Sequence, residues 1–299
     1  MHHKSTTFTT HEQKISLFVV KKYLCALKIY RAKKLILTAM ILYFSGTGNN
    51  LAVARAIAEH TGESVQPLYN TLNINLLQEK RIGFVYPCYN GDVPKVVPHW
   101  IEQLNLPQQA YYFIVIASGL QAGNAIWSVE QVLNKKGIQL NYCHKIRVPD
   151  NSALAFGRNP NDQQWKFQRF AARLEQIKKD IASEKNAHHY RWRDPLASLM
   201  KLFDKTVFNA LQPAINAQKC IGCGICAKVC AVQNIALVTY EAGKKIAQHG
   251  QHCEFCLACV HFCPQQAIEL SHKPTQKDFQ YHHPNVMLKD LIVTNDKMK

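Results

Sequence analysis

The chain has 299 residues, which is enough for two domains with separate hydrophobic cores. Hydrophobic residues make up 47% of it and charged residues 19%, a composition that excludes a disordered chain. The formal net charge of +16 favours acidic partners or an anionic membrane surface, and no nucleic-acid-binding motif accompanies it, so we do not expect nucleic acid as a partner.

Residues 1–39 are predicted to be a basic extension ahead of the first domain. Charged pairs such as Lys21-Lys22 interrupt their apolar runs too often for a membrane span, and no secretory cleavage site follows an apolar core. One interpretation is a basic amphipathic helix that makes peripheral contact with a membrane. The preferred interpretation is a poorly ordered or dispensable extension, because Met40 stands directly before the first strand of a recognisable domain.

Residues 40–185 alternate apolar strands with helical patterns. The predicted strands are 40–44, 81–86, 111–117 and 138–148, and the predicted helices are 49–60, 93–104, 125–136 and 163–183. On the last helix, the residues expected on one inward side are Trp165, Phe170, Leu174 and Ile177. Strands separated by helices predict a parallel sheet with right-handed crossovers, in which ligands bind beyond the carboxyl ends of the strands.

The first loop at that edge has the composition of a phosphate site. It reads Ser45-Gly46-Thr47-Gly48-Asn49-Asn50. Small residues let backbone N–H groups close on a phosphate, and the following helix N-terminus adds a favourable dipole. The loop is not a Walker loop, because no Gly-Lys-Ser/Thr follows, and Leu51 at the third glycine position excludes the dinucleotide fingerprint. A plain tight turn is the alternative interpretation.

Two further loops leave strands at the same edge. They read Pro87-Cys88-Tyr89-Asn90-Gly91-Asp92 and Ser118-Gly119-Leu120-Gln121-Ala122-Gly123-Asn124. Tyr89 offers a flat face for stacking on a flavin ring, or else it caps the core as an ordinary loop aromatic. Cys88 is interpreted as a passive small residue. Three glycine-bearing loops at corresponding strand ends together predict one ligand site.

Residues 186–214 are predicted to be a helical linker that packs the second domain against the first. The basic and aromatic residues 191–193 are assigned to this interdomain surface rather than to nucleic-acid binding. The histidine pairs 188–189 and 282–283 have no metal-like partners nearby in sequence, so solvated positions are expected for them.

A cysteine repeat dominates residues 215–272. Two blocks with the spacing C-x2-C-x2-C-x3-C lie 33 positions apart, and they contain Cys220, Cys223, Cys226 and Cys230, then Cys253, Cys256, Cys259 and Cys263. This spacing is typical of the bacterial two-cluster iron–sulfur proteins, in which the fourth Cys of each block ligates the cluster of the other block. The predicted ligand sets are therefore Cys220, Cys223, Cys226 and Cys263 for one [4Fe–4S] cluster, and Cys253, Cys256, Cys259 and Cys230 for the other.

Zinc is the alternative metal for the cysteine repeat. Three equally spaced cysteines plus a fourth, twice over, overfill a tetrahedral zinc site, however. Ala231 follows the fourth Cys of the first block where Pro264 follows that of the second, so that corner lacks the fixed φ of proline. Thiolate-held clusters need a reducing compartment, which favours the cytoplasm and makes disulfides unexpected.

Residues 40 to about 185 resemble flavodoxin, whose phosphate loop reads Ser/Thr-x-Thr-Gly-Asn-Thr, and the whole chain resembles the fused flavodoxin–ferredoxin family of bacteria. The shared segments are 43–49, 87–91, the cysteine repeat and 281–286 in the C-terminal tail 273–299. The resemblance implies an α/β fold with a flavodoxin-like doubly wound parallel sheet and a C-terminal α+β two-cluster ferredoxin-like domain. It also implies FMN, held by Ser45, Thr47, Gly48, Asn49 and the later loops. Asn50 stands where flavodoxins usually have Thr, so an amide replaces one phosphate-binding hydroxyl.

Three functions are compatible with this organisation. The preferred one is electron transfer between the two [4Fe–4S] clusters and FMN, with redox proteins as partners, acidic ones in particular. The second is a flavin-dependent reductase of a small substrate that the clusters feed with electrons. The third is a non-catalytic iron–sulfur sensor whose flavodoxin-like half binds no flavin.

Overall fold

The structure is a computed structural model, and it describes residues 39–71, 74–120, 122–152, 159–188, 193–202, 211–270 and 279–293. The predicted basic extension before Ala39 lies outside these ranges. The same holds for Gln121 in the third loop, for 189–192 and 203–210 in the linker, and for 271–278 and 294–299 near the C-terminus.

Five parallel strands form one sheet within the described residues. They are β1 Ala39–Tyr43, β2 Ser64–Pro67, β3 Arg81–Tyr86, β4 Tyr111–Ser118 and β5 Tyr142–Arg147, in the order β2-β1-β3-β4-β5. This is the strand order of the flavodoxin-like doubly wound fold, and its switch point lies between β1 and β3. The chain therefore leaves β1 and β3 toward opposite faces, and their loops open a crevice between them.

Helices cover both faces of the sheet. They are α1 Asn49–Thr61, α2 Val96–Gln103, α3 Ala125–Lys135, α4 Trp165–Ala182 and the linker helix α5 Pro195–Leu202. One apolar layer joins the sheet to α2 and α3, and the other joins it to α1 and α4. Every residue of β4 is buried, as expected for a central parallel strand between two helical layers.

The structure differs from the sequence expectations mainly in β2, in β5 and on α4. Strand β2 was not predicted, because its four residues are only partly buried and have no apolar run. Ile138 and Leu140 are buried, but they lie in the connection after α3, so β5 is shorter than predicted. The α4 prediction was wrong for Trp165, which is 50% exposed and lies under the Arg169 guanidinium at 5.7 Å.

The C-terminal part is a small α+β unit of the ferredoxin-like type. Strand β6 Pro213–Ile215 pairs antiparallel with β9 Ile268–Leu270, and β7 Ile235–Thr239 pairs antiparallel with β8 Lys245–His249. Two one-turn helices, α6 Ile225–Lys228 and α7 Ala258–His261, each contain the third Cys of their block. Buried cysteines and aliphatic side chains share the core of this unit.

Residues 279–293 connect the ferredoxin-like unit to the flavodoxin-like sheet. Val286 is buried in the layer that contains α1, and Asp290 pairs with Arg55 of α1 at 3.0 Å. The N–H of Val293 donates to the Lys228 carbonyl of α6 at 2.7 Å. Among the described helices, none combines the length and the apolarity needed to cross a bilayer.

Candidate cofactor sites

A cavity of about 400 Å³ lies at the carboxyl edge of the parallel sheet, and all three predicted loops line it. Its volume is in the usual range of small-ligand sites. The predicted residues that line it are Ser45, Gly46, Thr47, Asn49, Asn50, Pro87, Tyr89, Asn90, Gly91, Ser118, Gly119 and Gly123. The structure does not place the two remaining predictions, Gly48 and Asn124, in this lining.

The first loop is shaped to present backbone donors at the start of α1. Gly48 has a φ of 93°, a left-handed conformation, and its N–H donates to the Ser45 hydroxyl at 3.0 Å. A Cβ on Gly48 would also lie only 2.8 Å from Val286 of the C-terminal segment. No acidic residue stands in the first turn of α1, so the positive end of the helix dipole is not neutralised there.

The two asparagines of this loop bond to the protein itself. The Asn49 amide donates to the Pro149 carbonyl at 2.9 Å, and the Asn50 side chain exchanges hydrogen bonds of 3.3–3.4 Å with the backbone of Ala117. Because these amides are already used, the donors left for a phosphate are the hydroxyls of Ser45 and Thr47 and the backbone N–H groups.

The second loop is a tight turn that sets the position of Tyr89. Tyr89 and Asp92 exchange backbone hydrogen bonds of 2.7 and 3.0 Å, while Asn90 and Gly91 both have positive φ, the pattern of a type I′ turn. Tyr89 lines the cavity, and its ring packs edge-on against Phe44 at 6.4 Å, which agrees with the core-capping role considered for it. Burial raises the pKa of Tyr89 well above its usual value, which keeps the phenol neutral.

Cys88 is half-buried beside the same cavity. Burial raises the pKa of its thiol to about 12, so the thiolate that redox or nucleophilic chemistry needs does not form near neutral pH. The geometry agrees with the passive role predicted for this residue.

Asn124 at the end of the third loop fixes the linker helix. Its amide oxygen accepts from the Asp194 N–H at 2.7 Å, and its amide nitrogen donates to the Ser198 hydroxyl at 3.0 Å. These bonds place Ala197 of α5 against Gly91 and in the lining of the cavity. Asn124 therefore acts on the cavity through α5.

Further residues line the cavity that the sequence reasoning missed. They are Val148, Pro149, Asp150, Asn151, Ser152, Ala197, Leu211 and Phe255. The loop 148–152 follows β5, so the same rule of strand ends could have found it. Leu211 and Phe255 come from the linker and the cysteine repeat, and no local signal marks them as neighbours of this cavity.

The eight cysteines of the repeat come together in two groups. We call the first the distal set, and it consists of Cys220, Cys223, Cys226 and Cys263, which line one small cavity. Burial raises the pKa of Cys226 to about 11, and the other three thiols of this set add to the rise. The cavity of the distal set is lined only by residues between 215 and 268.

The second group, the proximal set, consists of Cys253, Cys256, Cys259 and Cys230. Burial raises the pKa of Cys259 well above its usual value, and the other three thiols of the set act in the same direction. Buried thiols crowded in this way do not ionise by themselves, so thiolate ligation needs the compensating charge of a bound metal. The structure thus brings together the two crossed groups that the spacing predicts.

The backbone repeats along with the cysteines. Positive φ occurs at Gly222 and again 33 positions later at Phe255, and at Gly224 and again at Leu257. A left-handed conformation costs about 1–2 kcal/mol at a residue other than glycine, so the second block keeps this path at a cost. The repetition fits two ligands of the same shape.

The fourth Cys of each block also has the same hydrogen bond. The N–H of Asn234 donates to the Cys230 sulfur at 3.2 Å, and the N–H of Ala267 donates to the Cys263 sulfur at 3.2 Å.

The proximal set touches the first loop of the cavity. A Cβ on Gly46 would lie 2.5 Å from the Cys256 carbonyl oxygen, so the two backbones are in direct contact. The Asn151 amide donates to the same carbonyl at 3.1 Å, and Phe255 lines the cavity beside it. The cysteine block and the cavity therefore share a wall.

The buried His261 of the cysteine repeat is hydrogen-bonded to the loop 148–152 and to Tyr281, which in turn contacts the first loop. The N–H of Tyr281 donates to Nδ1 of His261 at 3.1 Å, which leaves Nε2–H to donate to the Asn151 carbonyl at 3.0 Å. The Tyr281 hydroxyl donates to Asn49 in the first loop. Burial lowers the pKa of His261 to about 4, so the ring is neutral in this network.

His283 departs from the solvated position expected for it. Its N–H donates to the Thr47 carbonyl at 2.8 Å, and its ring packs edge-on against Phe167 at 4.8 Å. Burial lowers its pKa to about 4. The exposed His282 next to it agrees with the expectation.

The chain is similar to several known proteins. The 4Fe-4S dicluster domain family matches residues 219–267. An uncharacterized ferredoxin of Methanocaldococcus jannaschii is 36% identical over 70 residues, which are 23% of this chain and 91% of that ferredoxin. A solved flavodoxin of Streptococcus pneumoniae TIGR4 is 18% identical with a TM-score of 0.37, and the match covers 49% of this chain and 98% of the flavodoxin. A flavodoxin from the domain Archaea is 18% identical with a TM-score of 0.34, over 49% of this chain and 96% of its own.

The strand order and the cysteine repeat define an iron–sulfur electron-transfer protein that is built as a flavodoxin–ferredoxin fusion. Through its C-terminal part, the chain belongs to the 4Fe-4S dicluster ferredoxin family.

Proposed function

We propose that the chain carries two [4Fe–4S] clusters and one FMN and passes electrons among them in the order distal cluster, proximal cluster, flavin. The observation that supports this order is the contact between Gly46 of the first loop and the Cys256 carbonyl of the proximal set. A cofactor in the cavity and a cluster on the proximal thiols would share this wall. The distal thiols line a separate cavity within the ferredoxin-like unit.

The side chains present fit both kinds of cofactor. Four thiols per set match the ligand number of a cubane cluster, and the duplicated backbone supports two of them. The cavity at the strand ends matches FMN in its location, in its volume and in the anion-binding character of the first loop. When bound, the clusters supply one-electron chemistry and the flavin one- or two-electron chemistry.

The chain's own residues position and insulate these groups. The phosphate would lie against the hydroxyls of Ser45 and Thr47 and the N–H groups at the start of α1, while the Tyr89 ring would cover the isoalloxazine. Backbone N–H groups that donate to Cys230 and Cys263 stabilise negative charge on sulfur, which tunes the potential of each cluster. Ala197 of α5 and Phe255 line the same cavity, where they would shield the flavin from water.

The proposal includes the finer organisation of the chain. It takes 40–185 as the FMN-binding domain, 186–214 as the helical linker, 215–272 as the two-cluster domain and 273–299 as the C-terminal tail, whose described residues 279–293 contact both domains. A redox protein is the proposed partner, and the cytoplasm is the proposed location because thiolate-held clusters need a reducing compartment.

Anaerobic purification with iron, sulfide and flavin quantified per chain tests this proposal. We expect about eight irons and eight sulfides, as two four-iron cubes require, together with about one FMN. Zinc in place of iron, or a chain that does not take up FMN after reconstitution, would refute it. Photoreduction with uncharged deazariboflavin and a sacrificial electron donor then reduces the protein, and absorbance spectra record the fading of the broad cluster absorbance and of the resolved flavin bands.

A further inference from the structure

The distal set is covered by aliphatic side chains that face solvent. Ile221 is 59% exposed and Leu237 is 41% exposed, although both line the small cavity of the distal cysteines. Cys223, between the two glycines of the same loop, is also exposed. Core packing accounts for only part of these two aliphatic side chains, because a large share of each still faces solvent beside the distal thiols.

Two lysines border this pair of aliphatic residues. The carbonyl oxygen of Lys245 would lie 2.5 Å from a Cβ on Gly222, so the start of β8 rests on the distal cysteine loop. Lys244 donates to the Ala217 carbonyl at 2.8 Å, which fixes its charge beside the same loop. In the described part of the chain, neither lysine has an ion pair, and Glu241 is the acidic residue in the turn before them.

Lys219, on the other side of the loop, differs from these two. It is paired with Glu269 at 2.9 Å, so its charge is largely compensated. The uncompensated positive charge beside the aliphatic pair is therefore that of Lys244 and Lys245.

We propose that Ile221, Leu237, Lys244 and Lys245 form a docking surface for an acidic electron-carrier protein, which exchanges electrons with the distal cluster. This proposal rests on the proposed function, since it assumes that the distal thiols hold a cluster. The lysines attract and orient a partner with surface carboxylates, and the aliphatic pair excludes water at the point of closest approach. The patch is small, as in the weak, transient encounters of redox proteins.

The exchange is a simple one-electron step. The reduced centre of the partner is oxidised by one electron, the distal cluster is reduced by one electron, and no bond forms or breaks. A protein partner is favoured over an anionic membrane because two aliphatic side chains bury too little surface to anchor a chain in lipid, and because the patch lies directly over the distal thiols.

The test measures binding of the cluster-loaded chain to a small ferredoxin of strongly negative net charge, with both proteins oxidised so that binding alone is observed. The test variant is Lys244→Glu with Lys245→Glu. The control is Lys135→Glu with Lys179→Glu, which changes the net charge equally at exposed positions on α3 and α4. We expect the test variant to bind about tenfold more weakly at low ionic strength and the control to bind almost as the parent does.

Two further measurements make the result specific. Carbodiimide cross-linking with mass spectrometry should join Lys244 or Lys245 to carboxylates of the ferredoxin. A neutral variant, Lys244→Gln with Lys245→Gln, should fall between the parent and the charge reversal, with the iron content of the parent. Equal weakening by test and control variants would reduce the effect to net charge and overturn the proposal, as would cross-links that map elsewhere.

Vesicles of anionic phospholipid form the last arm. Suppose that the parent binds the vesicles but not the ferredoxin, and that the test variant no longer binds the vesicles. This result would overturn the proposal of a protein partner. The proposed function has a separate readout, since photoreduction with deazariboflavin needs no docking surface. If the charge reversal removes ferredoxin binding and the flavin is still reduced after photoreduction of the clusters, both proposals hold. If the flavin is never reduced in this way, the proposed internal electron transfer is refuted independently of the docking surface.

Discussion

At the scale of single residues, Gly46 has the clearest consequence for function. It has no side chain at the point where the first loop meets the cysteine repeat, and a Cβ there would lie 2.5 Å from the Cys256 carbonyl oxygen. Real Cβ atoms do not approach an oxygen this closely, so any larger residue must separate the two loops.

We expect Gly46→Ala to lower the free energy of unfolding by about 1–3 kcal/mol through overpacking. It should also slow flavin reduction after photoreduction of the clusters, because the shared wall widens. Gly243→Ala is the control, since a Cβ there meets nothing within 4 Å while its φ of 77° still gives backbone strain. Stopped-flow absorbance measures the rate, and equal rates in the two variants would contradict the role of this contact.

His283, in the C-terminal segment, makes the stability of the protein depend on pH. Burial lowers its pKa to about 4, below the value of about 6.5 in an unfolded chain, so folding favours the neutral ring. The associated stability is present above pH 6.5 and is lost progressively as the pH falls from about 6.5 toward 4. The pKa of His261 is lowered in the same way, so His283 accounts for only part of the effect.

His283→Gln should therefore reduce the drop in melting temperature between pH 7 and pH 5, even if it lowers stability at pH 7 through lost packing on Phe167. The measurement is the difference between the two melting temperatures of each protein. His99→Gln, at an exposed position on α2, should leave that difference as it is in the parent. An unchanged difference in the His283 variant would exclude this residue as a source of acid sensitivity.

At the scale of elements, the linker helix α5 forms part of the cavity wall. Its N-terminal end is held by the Asn124 side chain, which is buried and bonds to Asp194 and Ser198. The helix itself is short, and Leu196 and Leu199 are exposed, so these hydrogen bonds contribute much of its anchoring.

Asn124→Ala leaves the Asp194 N–H without its acceptor, which costs about 1–3 kcal/mol where the donor is shielded from water. We expect faster hydrogen–deuterium exchange in 193–202 and a weaker hold on FMN as a consequence. Asn134→Ala, at an exposed position of α3, the helix that follows Asn124, is the matched control. Weaker FMN binding with unchanged exchange in 193–202 would instead mean that Asn124 contacts the flavin directly.

The loop of the distal cysteines packs closely on the start of β8. Gly222 has a φ of 67°, and a Cβ on it would lie 2.5 Å from the Lys245 carbonyl oxygen. We expect Gly222→Ala to remove the distal cluster alone, so that iron and sulfide fall by about half while FMN is retained. Loss of all iron would show that the two halves of the ferredoxin-like unit do not fold separately around their clusters.

At the scale of the whole molecule, the three proposed cofactor sites form a sequence. The distal thiols line a cavity within the ferredoxin-like unit, the proximal thiols adjoin the first loop, and the cavity proposed for FMN lies at the sheet edge. The segment 279–293 spans the joint, since it contacts α1, the first loop and α6. This arrangement predicts different effects for the loss of either cluster.

Cys226→Ser and Cys259→Ser should each remove about half of the iron, since each changes one ligand set. In the Cys226 variant, electrons supplied by photoreduction should still reach the flavin through the proximal cluster. In the Cys259 variant, the intact cluster is the distal one, so flavin reduction should be much slower. Anaerobic absorbance with iron analysis measures both effects, and the reverse ranking would overturn the proposed order.

Much of this organisation follows from local sequence patterns. The spacing of the eight cysteines reflects how a short loop wraps a cube, and the apolar runs of β1, β3 and β4 reflect burial on both faces. The first loop was also recognisable as a candidate phosphate site, because small residues between a strand and a helix leave backbone N–H groups accessible to an anion. These features depend on residues that are close together in the sequence, so they can be predicted from the sequence alone.

The tertiary structure decided what distant segments do to one another. The contact between Gly46 and Cys256, the entry of Phe255 into the cavity and the anchoring of α5 by Asn124 each join residues far apart in sequence. Composition and periodicity report only whether a residue is buried, and not against which partner. Trp165 shows the same limit, since its helical spacing predicted an inward position that packing of α4 on the sheet does not provide.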